Sequence, residues 1–129
     1  MRKFFATLLI SVFLGQNISA KSLFYEADYQ NVWCSLHNGI SEYRNSDNTR
    51  VDCLTKTHAV EFDFAKKWAE SVGQAEYYSM LTGKRGMVIL IIEKPEEMKY
   101  LKKVIALSKI HNFDVDYVTP EIISCKKLK

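Results

Sequence analysis

Residues 87–92 of this chain read MVILII, six apolar residues without a polar interruption. A strand with one face in water alternates polar and apolar side chains, so an unbroken run of this length marks a strand buried on both faces. Such a strand needs cover above and below it, and in a chain of this size the cover is helical. The neighbouring sequence supplies it. Spacing predicts a helix over residues 66–81, closed by Gly83. In it Trp68, Val72, Ala75 and Ser79 form one stripe, and Lys67, Ser71, Gln74 and Tyr78 the stripe beside it. Pro95 opens another helix, with Glu96 and Glu97 at its positive end, and its apolar positions are Tyr100, Leu101, Val104, Ile105, Leu107 and Ile110. Residues 113–118, FDVDYV, alternate as a last strand that Pro120 ends.

Upstream, residues 24–37 place Tyr25, Tyr29, Val32, Trp33 and Leu36 at helical spacing, and Asn38 and Gly39 end that helix. Three short extended pieces follow, at 40–44, 49–54 and 58–64. They are separated by the turn formers at 45–48 and by Lys56 and Thr57, the pattern of an antiparallel meander. The order is helix, three strands, helix, strand, helix, strand, which makes the fold α/β, a mixed sheet flanked by helices. No repeat or low-complexity segment interrupts it.

The first twenty residues have a different character. A basic start (MRK), an apolar stretch over residues 4–15 and small or apolar residues at 18–20 form the three parts of a secretory signal peptide. The expected mature chain is therefore one domain over residues 21–129, periplasmic or secreted, with no membrane span after the leader. Removing Arg2 and Lys3 takes Lys plus Arg from 18 to 16 against 15 acids, so the formal charge drops from +3 to +1. A broadly basic nucleic-acid footprint is absent, and any such binding must rest on local patches, with Lys102, Lys103, Lys126, Lys127 and Lys129 as candidates. Cys34, Cys53 and Cys125 allow one disulfide and leave one thiol. His37, His58 and His111 are scattered singly and do not suggest zinc.

The chemistry lies in Asp52 and in Glu61 with Asp63. Alternate strand residues share a face, so Ala59, Glu61 and Asp63 point one way while Val60, Phe62 and Phe64 point into the core. Neighbouring carboxylates repel unless a positive charge lies among them, and Mg²⁺ (or Mn²⁺) takes hard oxygen ligands of this kind. Lys66 and Lys67 follow at once. The plain alternative is an exposed sheet edge whose acids pair with those lysines in ordinary salt bridges.

The order of elements, Asp52 on the second strand, Glu61 on the third and the Gln74-to-Tyr78 spacing (Gln-x-x-x-Tyr) resemble the PD-(D/E)XK nuclease superfamily. The likeness is to its small RecB-like branches and covers residues 42–120. The resemblance implies a restriction-endonuclease-like core and metal-dependent phosphodiester hydrolysis of DNA or RNA. Asp52, Glu61 and Asp63 would hold Mg²⁺, Lys67 would position or activate the attacking water, Glu42 would be an accessory acid, and Gln74 and Tyr78 would position the site. Asp63 departs from the pattern, because it stands where the superfamily carries its lysine, and the role passes to Lys67. A degenerate nuclease fold kept as a binding module outside the cytoplasm is the alternative.

Overall fold

The computed structural model describes residues 21–128. The expected signal peptide, residues 1–20, lies outside them. Five strands form one mixed sheet: β1 (Ile40–Arg44), β2 (Arg50–Leu54), β3 (His58–Phe64), β4 (Arg85–Ile91) and β5 (Phe113–Val118), in the order β1-β2-β3-β4-β5. The first three are antiparallel neighbours, and β3, β4 and β5 run parallel. The helices are α1 (Glu26–Leu36), α2 (Trp68–Thr82) and α3 (Met98–Ser108), with short 3-10 turns at Ala65–Lys67 and Pro95–Glu97 and a longer one at Pro120–Leu128. The α/β reading and the order of elements hold.

The apolar run lies in and just beyond β4, and its alternation sorts the layers. Ile89 and Ile91 join Tyr29 and Trp33 of α1 and Val60 and Phe62 of β3 on one face. Val88, Leu90 and Ile92 pack with Ala75 of α2 and with Leu101 and Val104 of α3 on the other. Gly83 takes φ +66° to end α2, the left-handed conformation that glycine adopts at no steric cost.

Cys34 of α1 and Cys53 of β2 form a disulfide, which leaves Cys125 free and exposed. A Cβ on Gly39 would lie 2.3 Å from the Cys53 sulfur and 2.7 Å from that of Cys34. Only glycine lets the chain turn tightly over that bond. Among the described residues no helix is long and apolar enough to cross a membrane.

Three local expectations need correction. β3 is the middle strand, so Glu61 and Asp63 are buried, at 2% and 5% exposure, and do not form an exposed edge. The inner seam of α2 is Ser71, Ala75 and Tyr78, which straddles the two stripes read from spacing. In α3 only Leu101 and Val104 are buried, while Ile105 and Ile110 are 40% and 81% exposed. The helix ends at Ser108, before a second inward turn could carry Ile110 to the sheet.

Candidate functional site

The carboxylates meet where the sheet ladder opens. β2 and β3 pair only at Cys53 with Val60 and at Leu54 with Ala59. A further rung would set Asp52 against Glu61, and there side chains take over from backbone. The Asp52 amide donates to Glu61 Oε1 at 3.2 Å, and the Phe62 amide donates to Asp52 Oδ2 at 2.8 Å. The orphaned Asp52 carbonyl accepts from Gln30 Nε2 of α1 at 2.8 Å. Gln30, only 3% exposed, also donates to Glu42 Oε1 at 2.8 Å. Buried backbone groups must be paired, so these polar side chains stand in for the missing ladder. Across β2, Glu42 sits at φ +55°, an unusual conformation for a residue with a side chain, and forms an exposed ion pair with Arg50 at 3.5 Å.

Glu26, in the first turn of α1, completes the group: its carboxyl and that of Asp63 are within hydrogen-bonding reach. Burial raises every one of these acids. Glu61 is pushed up to about 9 by burial and then by the charge of Asp52. Glu26 rises to about 7 through burial, then Asp63 and Asp52. Asp52 rises to about 6 through burial, although the Phe62 amide pulls it down. Asp63 is raised by burial against the opposing pull of Lys67. Lys67 is exposed, and among the described residues neither it nor Lys66 forms an ion pair with these acids. The salt-bridged edge is therefore not what forms. Instead, four carboxyls share a partly buried space with too little positive charge to ionise them together.

A hard divalent cation fits this donor set chemically, since every donor is a carboxylate oxygen and the local charge is in negative excess. Asp52 and Glu61 each spend one oxygen on a backbone amide and keep the other. Among the described residues no three His, Cys, Asp or Glu side chains already surround a common point, so holding an ion requires side-chain rotation.

The structure thus brings Asp52, Glu61 and Asp63 together with Lys67 beside them, and places Glu42 at the rim through Gln30. Tyr78 is buried against Val51, Leu54 and Ala59. Its phenol pKa is raised by burial and then by the nearby charges of Glu61 and Asp52. Gln74 is half-buried and makes no side-chain hydrogen bond among the described residues. Sequence reasoning missed Glu26 and Gln30. The available signal was their spacing: four apart, they share a helix face one turn from Trp33 and Cys34. Comparison with protein-family models, curated proteins and solved structures finds no match to this chain.

Proposed function

We propose that this chain is a metal-dependent phosphodiester hydrolase on a restriction-endonuclease-like core, exported from the cytoplasm and acting on nucleic acid. The observation that carries the reading is the open ladder, where Asp52 and Glu61 replace backbone pairing and form one acidic cluster with Asp63 and Glu26. Asp52, Glu61 and Asp63 would hold Mg²⁺ or Mn²⁺, with Glu26 beside Asp63, and the bound ion would supply Lewis-acid polarisation of a phosphate and acidification of water. Lys67, on the turn after β3, orients the attacking water and steadies charge that develops on the phosphate. Gln30 and Tyr78 hold the two strands that carry the acids, and Glu42 adds charge at the rim. Export is supported by the leader pattern and by the Cys34–Cys53 disulfide, a bond that persists in oxidising compartments.

A second reading, a degenerate fold kept for binding, is favoured by Asp63 in the place of the lysine and by Lys67, which forms no ion pair among the described residues. Incubating the mature chain with plasmid, single-stranded DNA and RNA, with Mg²⁺, Mn²⁺ or EDTA, separates the two. Metal-dependent cutting that Glu61→Gln abolishes is expected. A folded protein that neither cuts nor binds Mn²⁺ by calorimetry establishes the degenerate reading.

A further inference from the structure

A cationic feature stands at the C-terminal end of the parallel strands. Lys66 follows β3 and Lys94 follows β4, and because those strands are parallel both lysines emerge at their C-terminal edge. Open α/β sheets receive ligands at that edge. With Lys99, Tyr100, Glu96 and Glu97 they line a concavity of about 320 Å³. Lys99 Nζ lies 5.1 Å from the centre of the Tyr100 ring. Lys103 Nζ lies 5.7 Å from that ring and 5.3 Å from the ring of Trp68. The two lysines of α3 thus lie over aromatic rings, and Lys66 and Lys94 share the lining of the concavity with Lys99.

Composition does not force this gathering, since the whole chain carries a formal charge of only +3. Among the described residues none of the four lysines forms an ion pair. Glu97, the acid placed to neutralise them, is turned to the backbone, where Oε2 accepts the amides of Glu93 at 3.0 Å and Lys94 at 3.2 Å. Three lining lysines against Glu96 and Glu97 leave the concavity with one positive charge in excess, which favours an anion from outside.

We infer that this concavity is a phosphate cradle, gripping the backbone of a nucleic-acid strand beside the bond that is cut. The inference rests on the phosphodiesterase reading of the carboxylate site. Asp63 precedes Lys66 by three residues, which limits their Cα separation to about 11 Å. A strand whose reacting phosphate lies at Glu61 and Asp63 therefore passes Lys66 with its next phosphates and runs on to Lys94 and Lys99. Ammonium groups bind phosphate without reading bases, so the cradle holds the strand independently of its sequence.

The test measures binding separately from cutting. Fluorescence anisotropy of labelled single-stranded DNA, RNA and duplex DNA is followed with the Glu61→Gln protein over a series of salt concentrations. The same protein carrying Lys66→Gln, Lys94→Gln and Lys99→Gln is compared with one carrying Lys56→Gln and Lys109→Gln. Loss of the cradle is expected to weaken binding at least tenfold and to lower the salt slope by about 2, as befits three lost phosphate contacts on a single strand. The control pair should change neither. Unchanged affinity and slope in a folded triple variant, or no binding of any probe before substitution, overturns the cradle. If wild-type protein cuts and the triple variant cuts with the same KM, the cradle fails while the hydrolase stands. If nothing is cut but lysine-dependent binding persists, the hydrolase fails and the cradle remains as a binding site.

Discussion

The two halves of the sheet solve the same problem in opposite ways. From β3 to β5 the ladder is continuous, with seven registered pairs between β3 and β4 and six between β4 and β5. There the backbone satisfies itself and the side chains of β4 are free to be apolar. Between β2 and β3 only two pairs form, β1 is exposed along its whole length, and carboxyls and Gln30 bridge the gap. The continuous half supplies rigidity and excludes chemistry. The open half must bring polar side chains inside, where burial raises the pKa of its acids.

The largest expected effect breaks the continuous half. Ile89→Ala removes a fully buried side chain from the middle of β4 and should cost about 2–5 kcal/mol in urea unfolding. Tyr43→Ala on exposed β1 should stay within about 0.5 kcal/mol. Equal losses at the two positions would show that the halves are not energetically distinct.

Next is the covalent tie that holds α1 to the open half. Replacing Cys34 and Cys53 with alanine frees a loop of 19 residues and should lower stability by about 3 kcal/mol, whereas Cys125→Ser should leave it unchanged. Thermal melts of both variants check this, and a melt insensitive to the double replacement would remove the tie from the account.

Within the open half, Glu61→Gln should reduce cutting at least about a hundredfold while the fold survives. Its amide oxygen can still accept the Asp52 amide, so single-turnover cleavage beside a circular-dichroism melt separates lost chemistry from lost structure. A variant that still cuts at the wild-type rate would remove Glu61 from the site.

The last contrast is a difference in sign. Glu61 has its folded pKa raised from 4.5 to about 9. Below the lower value both states keep the proton. Between the two values only the unfolded chain releases it, so metal-free stability falls as pH rises through that window. Glu26 and Asp52 act in the same direction over narrower windows. Metal affinity should tighten over the same range, because ligands must lose their protons to bind. Asp114 of β5 behaves oppositely. Arg85 donates to it at 2.8 Å and holds its pKa below 3.8, with His58 adding a second contact at 2.8 Å. Its contribution is present above the unfolded pKa and is lost as pH falls through the folded one. Melting temperature against pH for wild type, Glu61→Gln and Asp114→Asn resolves both slopes. The Glu61→Gln curve should be flatter above pH 5 and the Asp114→Asn curve flatter near pH 3. A wild-type melt that rises between pH 5 and 9 without metal would contradict the buried-charge account.

The kinds and order of elements were legible because their signals are local. The unbroken MVILII run, the alternation of residues 58–64 and the glycine that ends α2 all act within a few residues of themselves. The pairing of Glu61 with Asp63 on one face was legible for the same reason, since a strand alternates whatever it packs against. The placement of that face was not. Its burial follows from β3 lying between β2 and β4, a fact of topology that spacing along the chain does not carry.

Recruitment of Glu26 and Gln30, the Cys34–Cys53 pairing and the exposure of Ile105 and Ile110 likewise depend on partners far away in sequence. Periodicity decided what each segment becomes and which residues travel together on it. Only tertiary structure decided which polar groups are stranded when two strands separate, because an unmet hydrogen bond is created by the neighbour that is missing and is filled by whichever side chain lies within reach.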